Sequence, residues 1–216
     1  MPNVRALACP ASLKGVLSAR EAATALADGL RSWAEVDELP VADGGEGTLD
    51  AIHAALGGEW HDAEVPDAFG RPRVARWLEL PTGVAAVEAA EAIPLDPQRL
   101  DPFAASSRGL GELIRLVGRP RELLVCLGGT ANVDGGTGLL EVLDELPAPT
   151  RVACDVDVPL VDAARLFAPQ KGASSEDVVE LERRLLALPR LAPYADLPGA
   201  GSEAGLVPRW PHSVRS

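Results

Sequence analysis

The sequence predicts an α/β protein, because apolar runs alternate with glycine-rich loops and amphipathic segments along most of its length. The clearest unit is the apolar run 123–127, which is followed by a glycine-rich loop at 128–138 and an amphipathic segment at 139–146. An Asp-Gly-Gly-x-Gly pattern occurs at 43–47 and again at 134–138, each time between an apolar run and a predicted helix. These observations indicate strands that lead through glycine loops into helices.

The chain opens with a predicted strand–helix–strand–helix unit. Ser18 and Glu21 form a capping-box pair at the start of the first helix, which is expected to run to about Trp33. Ser174 or Ser175 is expected to cap the last helix. The predicted strands are 4–9, 36–42, 74–80, 84–87, 123–127 and 151–157, and the other predicted helices are 49–56, 113–117, 139–146, a short one after residue 159, and 176–188.

The sequence pattern changes after Gly57 and Gly58, and a turn-rich segment follows at 64–73, which predicts a domain boundary near residue 58. The first α/β domain would cover 1–58 and the second 59–198. Two strands do not form a stable sheet alone, so the first domain is expected to be incomplete. Residues 199–216 look like the start of a return to that domain, ending in an aberrant tail without periodicity.

Composition excludes several classes of protein. The net charge of −12 argues against nucleic-acid binding, because a phosphate backbone would be repelled. No apolar run reaches the roughly 18 residues of a membrane span, and the first apolar run is too short for a signal peptide, so a cytoplasmic protein without a membrane partner is expected. Cys9, Cys126 and Cys154 are expected to be buried free thiols, and Glu88 and Glu91 to be solvated.

The two lysines of the chain, Lys14 and Lys171, each precede a glycine, whereas arginine is the usual cation elsewhere. A compact ammonium group beside accessible backbone suits a phosphate or carboxylate oxygen, although chance placement is the alternative. Glycines at a helix start let the backbone approach an anion. The predicted phosphate-binding positions are therefore Lys14, Gly15, Gly44, Gly45, Gly128, Gly129, Gly135, Gly136 and Lys171.

Acidic residues supply candidate metal ligands and bases. Asp155 and Asp157 lie two apart on a predicted strand, so they would face the same side and could hold Mg²⁺; a turn residue and a cap are the alternative. Asp43 and Asp134 each precede two glycines and could be metal ligands, bases or helix caps. Arg71 and Arg108 could clamp a substrate carboxylate or lie on the surface. Together these residues indicate phosphate, metal and a small anionic substrate.

Seven segments resemble the type-1 glycerate kinase family, in the family's order. This resemblance implies two Rossmann- or flavodoxin-like α/β domains with a cleft between them, the first domain being discontinuous. It also implies ATP- and Mg²⁺-dependent phosphorylation of D-glycerate, with Asp43, Asp134 and Lys171 in catalysis. The segments are 10–15, 41–48, 69–72, 108–114, 128–136, 153–157 and 169–172.

The chain also departs from that pattern. Ala11 stands where the family has Asp, and the family continues well beyond the glycine-rich stretch at 199–205, so a truncated chain is expected. Two alternatives therefore stay open: an inactive remnant or small-anion binder, and a kinase for another sugar acid. The sequence does not determine which hydroxyl is phosphorylated or the oligomeric state.

Overall fold

Two sheets with helices around them form the fold of the computed structural model, which describes residues 4–13 and 16–201. The predicted α/β class is confirmed. The strands are β1 (Arg5–Ala8), β2 (Glu35–Glu38), β3 (Glu59–Pro66), β4 (Pro72–Glu79), β5 (Val84–Glu88), β6 (Glu122–Cys126) and β7 (Thr150–Ala153). The helices are α1 (Ala19–Leu30), α2 (Thr48–Leu56), α3 (Ala89–Ala92), α4 (Arg108–Val117), α5 (Thr137–Leu140), α6 (Leu160–Phe167) and α7 (Ser175–Leu186), with 3₁₀ turns at Pro169–Lys171 and Ala192–Tyr194. Within the described ranges, no helix combines the length and apolar character needed to cross a bilayer.

The strands form one small and one larger sheet. Strands β1 and β2 pair in parallel as a two-stranded sheet, and the other five follow the order β3-β4-β5-β6-β7. The β3–β4 and β4–β5 pairs are antiparallel, whereas β5, β6 and β7 are parallel. The carboxyl ends of these three parallel strands therefore lie at one edge, which is where open α/β sheets bind ligands.

Helices cover both faces of the five-stranded sheet, because successive side chains of a strand point to opposite faces. Val87 on β5 packs with Leu110 and other residues of α4 on one face. On the other face, Ala86 packs with Leu49 of α2. Leu49 is 2% exposed, and burying a leucine side chain contributes about 1.5–3 kcal/mol. Helix α2 precedes the boundary predicted near residue 58 yet packs on the second sheet; the boundary itself stays a prediction.

The two helix caps predicted from local sequence are confirmed. The Ser18 amide donates to Glu21 Oε2 at 2.8 Å, and the Glu21 amide donates to Ser18 Oγ at 3.2 Å. Ser174, rather than Ser175, caps α7 and forms the same reciprocal pair with Asp177. Each pair satisfies amides that have no partner inside their helix.

Two predicted strands extend too far. The strand expected at 36–42 ends at Glu38, shortly before Pro40, whose nitrogen cannot donate to a sheet. The strand expected at 151–157 ends at Ala153, because its last paired partner is Cys126, the final residue of β6.

Two further element predictions are wrong. The helix expected at 139–146 is the single turn α5, which contains Gly138, a weak helix former. Strand β3 was not predicted, since residues 64–73 read as turns; its pairing with β4 along all eight residues supplies the order that local sequence lacks.

The cysteine prediction holds for one residue of three. Cys126 is buried at the end of β6, whereas Cys9 and Cys154 are exposed. Each exposed cysteine directly follows a short strand, where the chain has already left its sheet.

Candidate active site

Two glycine-rich loops meet backbone to backbone at the sheet edge where β5, β6 and β7 end. The Gly128 amide donates to the Gly44 carbonyl at 3.0 Å. A Cβ on Gly128 would lie 2.6 Å from Gly45 Cα, and a Cβ on Gly44 would lie 2.9 Å from the backbone of Ala153. Gly44 also has φ +87°, a conformation that favours glycine. Close packing of three chain segments therefore requires these glycines.

The backbone amides where the two glycine-rich loops meet donate hydrogen bonds to other groups of the protein. The Gly44 amide donates to Thr48 Oγ1 at 3.1 Å, and the Gly45 amide donates to Asp43 Oδ1 at 2.9 Å. With Gly128 bonded to Gly44, three predicted phosphate-binding glycines already use their N–H groups. The expectation that these N–H groups are available to an anion is therefore wrong for these positions, although their place beside a ligand stays a prediction.

Asp134 holds the second Asp-Gly-Gly loop together. Its Oδ2 accepts from the Ser107 amide and the Ser107 hydroxyl, both at 2.8 Å, and from the Gly138 amide at 3.1 Å. Its Oδ1 accepts from Asn132 Nδ2 at 3.0 Å and from the Gly136 amide at 3.1 Å. Five hydrogen bonds give this carboxylate the capping role, one of the alternatives left open by the sequence, whereas a catalytic role stays a prediction.

The glycines that follow Asp134 are explained by packing. A Cβ on Gly135 would lie 2.8 Å from the side chains of both Leu188 and Leu191, which follow α7. Gly135 and Gly136 also have φ of +61° and +72°. Gly129, with φ +84°, is different: a Cβ there would meet no atom closer than 3.5 Å, so its conformation rather than crowding requires glycine. Of the glycines on this loop, Gly129 remains the candidate for contact with a ligand.

Asp43 lies at the junction of the loops and is half-buried. Within the described residues it accepts one hydrogen bond, from Gly45 to Oδ1. Burial, together with the negative charges of Glu88 and Asp43, raises the pKa of the Cys126 thiol to about 12. The role of Asp43 as a base or metal ligand stays a prediction, and its Oδ2 is not committed to capping a helix.

Lys171 is buried rather than presented to the cleft. It is 1% exposed, and its Nζ donates to the Asn132 carbonyl at 2.7 Å. The ammonium group therefore ties the 3₁₀ turn at Pro169–Lys171 to the loop that contains Asp134. The other predicted phosphate ligands, Lys14 and Gly15, lie outside the described residues.

Asp155 and Asp157 are exposed in the loop after β7, not on a strand, so the argument that strand geometry aligns their side chains is wrong. They still follow Ala153, against which Gly44 packs, and therefore lie a few residues from the loop junction. No group of three or more His, Cys, Asp or Glu side chains within 4–13 and 16–201 forms a metal cage. Mg²⁺ is commonly held by one or two carboxylates plus substrate phosphates, and this donor set fits that mode.

Arg71 and Arg108 each pair with acidic side chains within the protein. Arg71 pairs with Asp67 at 3.1 Å and lines a separate pocket of about 380 Å³. Arg108, at the start of α4, pairs with Glu112 at 3.5 Å and Glu141 at 3.2 Å. Both guanidinium groups are about half exposed, which matches the surface alternative left open by the sequence.

A cleft of about 600 Å³ is lined on one side by the loop after β1 and the start of α1, and elsewhere by α2, by the middle of β4 and by the end of β5. Its lining includes Glu46 and Gly47 of the first glycine loop, together with Arg76 and Glu91. Arg76 donates to Glu91 through its backbone amide and its guanidinium group, the latter at 2.9 Å. Glu91 is therefore paired within the protein and not simply solvated.

Glu88 is the residue of this cleft that sequence reasoning most misjudged. It was expected to be solvated, yet it is 4% exposed at the end of β5. Its Oε1 accepts from the Leu49 amide at 2.6 Å and its Oε2 from the Gly47 amide at 3.2 Å. Burial raises its pKa to about 7, against the lowering effect of those two amides. Its place at the carboxyl end of a predicted strand was the available signal.

Comparison with known proteins identifies the family of this chain. The sequence model described as the glycerate kinase family matches residues 6–146 and 142–207. The chain belongs to the glycerate kinase family. Glycerate 2-kinase of Escherichia coli K12 is 34% identical over 91% of this chain, and glycerate kinase of Bacillus subtilis 168 is 31% identical over 94% of it.

The fold is likewise similar to that of a family member. The crystal structure of a glycerate kinase 2 candidate from Salmonella typhimurium LT2 matches with a TM-score of 0.76 and 28% identity, over 99% of this chain and 71% of that one. The chain spans 65% and 66% of the length of the E. coli and B. subtilis relatives. The resemblance predicted from the motifs is thus confirmed at the level of the family.

Proposed function

We propose that this chain catalyses ATP-dependent phosphorylation of D-glycerate to phosphoglycerate. The observation that carries the proposal is that the family match at residues 6–146 includes both glycine-rich loops, which touch through Gly44 and Gly128 in the fold. A small hydroxy acid and a nucleotide phosphate would react where these loops meet. A cytoplasmic location remains a prediction from composition.

Phosphoryl transfer depends mainly on positioning and on charge neutralisation. In the proposed reaction, Asp43 takes the proton of the attacking hydroxyl or serves as a ligand of the metal. Asp155 and Asp157 are the further candidates for holding Mg²⁺, which when bound neutralises phosphate charge. Gly129 is the loop position proposed to lie beside the nucleotide phosphates.

Basic groups are proposed to complete the site. Lys14 and Gly15 keep their predicted role at the phosphates. Arg71 and Arg108 remain candidates for the glycerate carboxylate, and Arg76 joins them because it lines the same cleft as the first glycine loop. Lys171 is proposed to support the loop through Asn132 rather than to contact phosphate.

A coupled assay of phosphoglycerate formation from D-glycerate and Mg·ATP tests the proposal. The wild-type chain should form phosphoglycerate. Asp43→Asn should lower kcat by at least about 100-fold, the usual effect of losing a general base or acid. Asp144→Asn is the matched control, because Asp144 is exposed and belongs to neither glycine-rich loop. It should retain wild-type activity.

The outcomes separate the alternatives. If folded wild-type protein forms no phosphoglycerate above the enzyme-free rate, the proposed function is rejected. Glycerate or ATP binding without turnover would then indicate a small-anion binder. Faster turnover of another sugar acid than of glycerate would reject glycerate as the preferred substrate while leaving the kinase assignment in place.

A further inference from the structure

The buried Glu88 carboxylate caps a helix from a different part of the chain. Helix α2 begins at Thr48, and its N-cap residue, Gly47, has no side chain to bond the first amides. Glu88, 39 and 41 residues away, accepts from the Leu49 and Gly47 amides at 2.6 and 3.2 Å. The first amides of a helix have no partner within it and carry partial positive charge, so a carboxylate stabilises them.

This cap also acts on the loop that carries Asp43, because residues 43–47 run directly into α2. At its other end, that loop is fixed by the contacts of Gly44 with Ala153 and of Gly45 with Gly128. The loop is therefore held at one end by the strands β6 and β7 and at the other by the end of β5.

We propose that Glu88 is a positioning residue, which fixes the Asp43 loop relative to the sheet edge by capping α2 from the end of β5. Glu88 itself is not the base, because both oxygens accept amides and the side chain is 4% exposed. This inference rests on the proposed function for the role of Asp43, but the cap can be tested without any turnover.

Amide hydrogen exchange followed by NMR at pH 8 tests the cap in the wild-type protein. First-turn amides without a partner exchange rapidly, whereas the Gly47 and Leu49 amides should be protected as well as those in the middle of α2. Glu88→Gln keeps the shape but turns an NH₂ group towards one amide donor. It should speed exchange at Gly47 or Leu49 by at least about tenfold, since a hydrogen bond to a charged group is worth about 1.5–3 kcal/mol.

Kinetics distinguish positioning from a purely structural role. Glu88→Gln should lower kcat for glycerate phosphorylation by about tenfold and change KM by less than about twofold, because the reacting geometry is lost rather than the binding groups. Glu88→Asp, whose side chain is too short to reach both amides, should have a kcat below that of the wild-type protein. Glu64→Gln, on the exposed side of β3, is the matched control and should change neither exchange nor kcat.

Rapid exchange of both amides in the wild-type protein overturns the proposal, whether or not any variant folds. So does protection that Glu88→Gln leaves unchanged. Protected amides in a wild-type protein that lacks kinase activity would reject the proposed function while retaining the cap. A lowered kcat with unchanged exchange would reject positioning and assign Glu88 a direct role.

Discussion

Replacing Asp134 with asparagine separates the capping role from a catalytic one. An asparagine has one acceptor oxygen and one NH₂ group, so it cannot accept at both former oxygens. Its best orientation keeps the three bonds at the Oδ2 position and turns NH₂ towards the donors of Asn132 and Gly136. Two bonds to a charged acceptor are lost, each worth about 1.5–3 kcal/mol. Since Asp134 is only half-buried and water can compensate partly, we expect about 3 kcal/mol of destabilisation.

Thermal and urea unfolding followed by circular dichroism measure this loss. For a chain of this size, about 3 kcal/mol corresponds to a Tm lowered by about 6–12 °C. Asp43→Asn is the internal comparison, because its remaining oxygen can still accept from Gly45, and its Tm should change by less than about 2 °C. An Asp134→Asn protein as stable as wild type, or an equal loss in Asp43→Asn, would refute the reasoning.

Two further predictions concern buried charged groups. Burial raises the Glu88 pKa from 4.5 to about 7, so the folded state binds this proton more tightly than the unfolded state does. The free energy of unfolding should therefore fall by about 3 kcal/mol between pH 4.5 and a pH above 7. Urea unfolding across pH 4.5–8 measures this loss. The prediction is contradicted if the free energy of unfolding of Glu88→Gln depends on pH as steeply as that of the wild-type protein. Lys171→Met keeps the apolar stem but removes the bond to Asn132, so it should cost about 2 kcal/mol. An unchanged Tm, measured by calorimetry, with activity abolished would instead favour a catalytic lysine.

Local signals explain what the sequence predicted well. The capping pair of Ser18 and Glu21 joins residues three apart, so its geometry follows from the helix alone. The same holds for Ser174. The glycine motifs and their order led to the glycerate kinase family, which the family match confirms. The particular contact between Gly44 and Gly128 was not predicted, since it joins segments far apart in the chain.

The sequence by itself determined the α/β class, the two capped helix starts and the family of this protein, because each depends on short-range pattern or on motif order. Only the tertiary structure decided which acids hold the loops together and which keep an oxygen without such a role. Asp134 and Asp43 share the same local motif, yet of the two only Asp134 accepts hydrogen bonds from Ser107. Glu88 likewise becomes a buried cap because β5 ends beside α2. The role of a carboxylate is set by the donors that distant chain segments bring to it, and those donors cannot be read from its sequence neighbours.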